Sequence, residues 1–166
     1  EKERGVVCAS AGNHAQGVAY ACEHLQIKGT IFMPAPTPKQ KVDQVRFFGK
    51  DWVDVVLIGD TFDDAYHQAD SYCIDTQSQF IHPFDDEDVM SGQGTVGLEI
   101  LKKSNEPIDY LFLPIGGGGL AAGVTSVFKQ LSPETKLIGV EPQGAPAMKI
   151  SIERDEHVTL TEIDKF

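Results

Sequence analysis

The sequence predicts an α/β chain, parallel sheets with helices on both faces, arranged as two successive domains. Three observations predict it. Short, nearly continuous apolar runs recur along the chain, as in strands buried on both sides. Segments with a helical period separate those runs. Turns of small residues, glycine or proline close the strands. In sheets of this type ligands sit outside the carboxyl ends of the strands.

The elements follow in order. Gly5-Val6-Val7-Cys8-Ala9 reads as a buried strand, and Asn13 to Leu25 as the helix after it. Gly29-Thr30-Ile31-Phe32-Met33 is the next strand, stopped by Pro34, Pro36 and Pro38, which cannot extend a ladder. Lys39 to Phe48 reads as a helix ended by Gly49, and Trp52 to Ile58 as a third strand closed by Gly59. Thr61 is placed to cap a helix running to about Tyr72. The rhythm then breaks at Phe80-Ile81-His82-Pro83-Phe84-Asp85-Asp86-Glu87-Asp88, an acidic, proline-bearing turn. A crossover there divides residues 1–84, a small α/β domain, from 85–166, part of a larger one. Beyond it, Gly94 to Lys103 reads as a helix with Val96, Ile100 and Leu101 inward. Ile108 to Ile115 reads as a strand, Gly116-Gly117-Gly118-Gly119 as a tight turn, Leu120 to Leu131 as a helix and Lys136 to Val140 as a strand.

Fourteen Lys and Arg against 25 Asp and Glu leave a formal charge of −11, which argues against nucleic acid or an anionic membrane as partner. The most apolar stretch, Tyr110 to Val124, holds five glycines and is shorter than the roughly 20 residues that span a bilayer. Glu1-Lys2-Glu3-Arg4 lacks the apolar run of a signal peptide behind it. Cys8, Cys22 and Cys73 form no CxxC pair and no zinc spacing, which suggests reduced thiols and a cytoplasmic protein. His82 with Asp85, Asp86, Glu87 and Asp88 lacks the alternating order of a calcium loop and reads as a solvated turn, so no metal site is expected.

Two turns carry the chemistry. In Ser10-Ala11-Gly12-Asn13-His14-Ala15 a strand ends in small and polar residues and a helix starts. Helix N-termini present N–H groups without intrahelical partners, which bind anions. On spacing alone, Ser10 or Asn13 as a plain helix cap is the competing reading. At Gly116 to Gly119, followed by Leu120, four glycines keep side chains away from whatever approaches the backbone. No GK[ST] follows, so this is not a nucleoside-triphosphate loop. Gly116-x-Gly118-x-x-Ala121, with Glu141 ending the following strand, also satisfies a permissive dinucleotide fingerprint. An NAD(P)-dependent oxidoreductase is therefore an alternative, and a non-catalytic binding module a third.

Ser10-Ala11-Gly12-Asn13-His14-Ala15-Gln16-Gly17, Ser91-Gly92-Gln93-Gly94-Thr95 and Gly116-Gly117-Gly118-Gly119-Leu120, in this order and at these distances, resemble the threonine dehydratases (threonine ammonia-lyases). These belong to the tryptophan-synthase-β-like, fold type II group of pyridoxal-phosphate enzymes. The resemblance implies pyridoxal 5'-phosphate as cofactor, with its phosphate on the N–H groups of Gly116, Gly117, Gly118, Gly119 and Leu120. It implies that Asn13 hydrogen-bonds the phenolic oxygen of the cofactor ring. Ser10, Ala11, Gly12 and His14 would receive the substrate carboxylate, and Glu141 would lie near the ring. Helix-end dipoles rather than net charge then explain how an acidic protein holds anions.

The implied reaction is deamination of L-threonine, and of L-serine, to a 2-oxo acid (2-oxobutanoate from threonine) and ammonia. The implied setting is isoleucine biosynthesis in a cytoplasmic homo-oligomer. Related serine racemases carry an acid–base serine at the position of Ala11; alanine has no proton to exchange, which favours elimination over racemisation. The family's Schiff-base lysine lies in a Ser-Phe-Lys-type motif that would precede residue 1. Lys39, Lys41, Lys50, Lys102 and Lys103 read as solvated charges. The expectation is thus an internal fragment of a catalytic domain, with no catalytic residue of its own and no turnover in isolation.

Overall fold

The structure, a computed structural model, describes residues 4–160. The run Glu1-Lys2-Glu3 discussed above lies outside them. The chain divides into two compact units, Glu1–Pro83 and Phe84–Phe166. Phe84, assigned above to the first domain, groups with the second because it packs on the glycine turn there.

The first unit contains β1 (Val6–Ala9), α1 (Asn13–Leu25), β2 (Gly29–Met33), α2 (Lys39–Gly49), β3 (Val53–Leu57), α3 (Phe62–Thr76) and β4 (Gln79–Phe80). The four strands form one parallel sheet in the order β3-β2-β1-β4. Alternate residues of the strands point to opposite faces. Cys8, Ile31 and Met33 meet Ala15, Val18, Ala19 and Cys22 of α1 and Val42 and Val45 of α2. Val7, Ala9 and Phe32 meet Ala65 and Ala69 of α3 on the other face. Both faces are covered, which is why these strands read as unbroken apolar runs. Burial, together with the neighbouring Cys22, pushes the Cys8 thiol up to about 12; burial alone takes Cys22 to about 11.

Several expectations are corrected at element ends. Trp52 belongs to a 3₁₀ turn, Lys50–Trp52, and not to the third strand. The glycine at position 49 leaves room for the Val53 side chain, while the left-handed residue that ends α2 is Lys50, at φ 48°. Thr61 does cap α3: its hydroxyl accepts from the Asp64 N–H, and the Asp64 carboxylate accepts from the Thr61 N–H. The helix continues to Thr76, a turn beyond the expected end. β4 is two residues long, too short to show a period in the sequence.

The second unit contains α4 (Glu87–Lys103), β5 (Tyr110–Pro114), α5 (Gly119–Leu131), β6 (Lys136–Val140) and α6 (Ala147–Arg154). β5 and β6 pair in parallel. Leu113, Val124 and Phe128 form its buried core. α4 begins two turns earlier than expected, because Asp86 caps it by accepting from the Val89 N–H. Glu87 and Asp88 therefore occupy a first helical turn, where acidic residues favour the dipole, instead of a solvated loop. Val96, expected inward, is 42% exposed; the buried positions of α4 are Gly94 and Gly97. The reason is proximity to α5: a Cβ at Gly123 would strike the Met90 carbonyl and the Gly94 nitrogen. The Ser91-to-Thr95 motif thus serves a close helix–helix approach. Helices on both faces, as expected, hold for the first unit. In the second, Tyr110, Phe112, Ile138 and Val140 share the opposite sheet face and are exposed. α6 was not anticipated.

Candidate functional site

The first candidate turn links β1 to α1. The strand hands over directly, since the Ser10 N–H still bonds the Phe32 carbonyl of β2 at 3.0 Å. Ser10 is buried, and its hydroxyl accepts from the Gly12 N–H at 3.1 Å. That bond closes a local turn and leaves the hydroxyl's own hydrogen to be donated. The plain-cap reading is not met: the N-cap of α1 is Gly12, with no side-chain cap bond. Asn13 is the first helical residue and is exposed. Ala11 is half-buried against the core behind it. The His14 ring lies with Nε2 at 3.1 Å from the Ile81 carbonyl oxygen. A carbonyl only accepts, so Nε2 carries the hydrogen.

The second candidate turn links β5 to α5 in the second unit. Ile115 continues the strand, its N–H bonding the Val140 carbonyl at 2.9 Å. The four glycines then serve different needs. At Gly116 an added Cβ would meet nothing within 4 Å. At Gly117 it would strike the Phe84 ring, and at Gly119 the Phe84 backbone, 2.9 Å from its Cα. Gly118 is the N-cap of α5 at φ 93°, a left-handed conformation that L side chains rarely adopt.

No side chain caps α5. The Ala122 N–H takes the Gly118 carbonyl, so the helix ladder begins there. Among the described residues, the N–H groups of Gly116, Gly117, Gly118, Gly119 and Leu120 have no acceptor. Five amides without a partner, at the start of a 13-residue helix and with no Cβ beside Gly116, suit a phosphate dianion.

Glu141 has a further task within the chain. Its carboxylate accepts from the Met148 N–H at 2.9 Å and the Lys149 N–H at 2.8 Å, capping α6. Both oxygens are thus engaged at the start of α6. The sequence contains one signal for this helix, Pro146 just before its first residue. Phe84 over the glycine turn has no such signal. Of the lysines, Lys50 pairs with Glu23 at 2.8 Å, and Lys39, Lys41, Lys102 and Lys103 are exposed. No group of three or more His, Cys, Asp or Glu among the described residues is placed to hold a metal.

The comparisons agree with one another. The family model described as "Pyridoxal-phosphate dependent enzyme" matches residues 1–166. The "L-threonine dehydratase biosynthetic IlvA" of Halalkalibacterium halodurans is 60% identical over 166 residues, 100% of this chain and 40% of that protein. Its Bacillus subtilis counterpart is 55% identical, over 100% of this chain and 39% of that protein. Among solved structures, the processed form of threonine deaminase isoform 2 from Solanum lycopersicum superposes with a TM-score of 0.91 at 47% identity, covering 99% of this chain and 44% of that one. The chain spans about 40% of the length of the curated relatives it matches. With a match along its whole length and an α/β fold shared with those neighbours, the chain belongs to the pyridoxal-phosphate dependent enzymes.

Proposed function

We propose that the protein carrying this chain deaminates L-threonine, and L-serine, to a 2-oxo acid and ammonia, 2-oxobutanoate being the product from threonine. The observation that carries this reading is 60% identity, over all 166 residues, to a relative named as a biosynthetic L-threonine dehydratase. The acceptor-free amides of the glycine turn support it. Pyridoxal phosphate, when bound, supplies an electron sink for the pair left at the substrate α-carbon.

The chain's own residues bind and orient. Gly116 to Gly119 and Leu120 hold the phosphate by backbone N–H groups, each bond to a charged partner contributing about 1.5–3 kcal/mol. Asn13, exposed at the head of α1, donates to the phenolic oxygen. Ser10, Gly12 and His14, with Ala11 between them, form the turn that receives the substrate carboxylate; the Ser10 hydroxyl has its hydrogen to offer. Ala11 carries no exchangeable proton on its side chain. A proton removed from the α-carbon is therefore not returned by this residue on the opposite face, and loss of the β-hydroxyl is favoured over inversion. We place the protein in the biosynthetic branch of its family on the names of its relatives, and propose a cytoplasmic homo-oligomer. No helix among the described residues is long and apolar enough to cross a membrane.

The test is an assay of the whole protein carrying this chain, loaded with pyridoxal phosphate. L-threonine is expected to yield 2-oxobutanoate and ammonia in equal amounts, and L-serine no D-serine. Formation of D-serine at a rate matching pyruvate release, or no 2-oxo acid from either substrate, overturns the reading.

A further inference from the structure

We infer that Glu141 is a positioning residue for the glycine turn: by capping α6 it holds Met148 against Gly118, and so sets the affinity of the turn for phosphate. The inference rests on the proposed role of Gly116 to Leu120.

Three observations within the second unit place these residues together. The Glu141 carboxylate takes two successive N–H groups of α6, Met148 at 2.9 Å and Lys149 at 2.8 Å. Pro146, before the helix, offers no N–H and no capping side chain, so Glu141 is the group that satisfies this helix start. Second, the first of those amides belongs to the residue whose side chain reaches the turn: a methyl group on Gly118 would lie 3.3 Å from the Met148 Cε. Third, Glu141 is anchored from behind, since Val140 next to it bonds the Ile115 N–H at the first step of the turn. One end of the turn is thereby tied to β6 through Val140, and its middle is backed by α6 through Met148.

The chemistry calls for such a support. Gly118 sits at φ 93°, and glycine loses more conformational freedom on ordering than any other residue. A turn of four glycines converges its N–H groups on one anion only if its neighbours restrict it. Phe84 restricts Gly117 and Gly119 from one direction. Met148 supplies the matching contact at Gly118, and it stays there only while the start of α6 stays put. A carboxylate suits that task better than an amide: it accepts at both oxygens, and its charge complements the positive end of the helix.

The experiment uses the whole protein carrying this chain and five variants: Glu141→Gln, Glu141→Asp, Met148→Ala, the Glu141→Gln/Met148→Ala pair and, as a control, Thr61→Ala. Pyridoxal phosphate affinity is read by titration into apoprotein, inorganic phosphate affinity by competition. Hydrogen exchange of the peptide covering 146–152, the start of α6, is followed by mass spectrometry without ligand. Glu141→Gln is expected to raise the Kd for both ligands about tenfold, which corresponds to ~1.4 kcal/mol, and to speed exchange at Met148 and Lys149, whose N–H groups its carboxylate accepts from. Glu141→Asp, which keeps the carboxylate, is expected to recover part of the affinity. Because both residues act along one path, the pair should lose no more than the larger single loss. Thr61→Ala removes the cap of α3 in the other unit; it should lower the melting temperature and leave both affinities alone. Unchanged affinity and exchange in Glu141→Gln, or additive losses in the pair, overturn the inference while the phosphate role of the turn stands. Wild-type protein that binds neither ligand overturns that role and the inference with it.

Discussion

Four consecutive glycines invite one explanation, and the residues supply several. Gly118 needs glycine for its backbone angle, Gly117 and Gly119 for the proximity of Phe84, and Gly116 for nothing within the chain. Gly116 is therefore the position where room is kept for something other than protein. Replacement by alanine separates these reasons. Gly118→Ala forces an L side chain into left-handed backbone, at about 1–2 kcal/mol, and lowers the melting temperature as well as phosphate affinity. Gly116→Ala meets open space and ordinary backbone, so the melting temperature holds while pyridoxal phosphate binding weakens. Calorimetry and ligand titration on the two variants check this; a Gly116→Ala protein that binds like its parent removes Gly116 from the phosphate contact. The same scale shows where the sequence was legible. Cys8 sits in an apolar run and Cys22 on the apolar side of a helical period, a pattern that reads as core, and both are buried. Glu141 was not readable, because a carboxylate at a strand end suits a ribose, a cofactor ring or a helix cap equally until the chain beyond it is folded.

At the scale of elements, local chemistry decides where helices start. The Asp64 carboxyl is held below its ordinary value of 3.8 by the Thr61 hydroxyl first and then by the Thr61 and Asp60 amides. A depressed acid adds stability that is fully present above its unfolded value and is lost as pH falls through the folded one. The melting temperature of the parent should thus exceed that of Asp64→Asn by a constant margin above about pH 5. Below 3.8 that margin shrinks with falling pH. A margin independent of pH assigns the cap to Thr61 alone. Elements with a period or a cap signal were legible to the residue: Asn13–Leu25, Gly29–Met33 and Lys136–Val140 stand as read. β4 was not, being two residues long, nor was the early start of α4, where Asp86 acts as a cap inside what read as an acidic loop.

Across the whole molecule, the two units differ in how much they bury. Among the described residues, the hydrophobic core of the first has nine buried members on one face of its sheet and five on the other; that of the second has three on one face. Burial of apolar surface is the main stabilising term. Native-state hydrogen exchange of the 166-residue chain should therefore find β1 and β2 protected about tenfold or more beyond β5 and β6. Equal protection would show the units opening together. By itself the sequence determined the alternation of strands and helices, the two small-residue turns at strand ends and, through three linked motifs, the family. Those features depend on neighbours in the chain: apolar period, glycine, proline and caps act within a few residues. Only the tertiary structure decided which glycine serves which need, that Glu141 holds α6, and that Phe84 lies over the turn. Each of these contacts joins residues whose separation along the chain carries no period, so their meeting is fixed by packing alone.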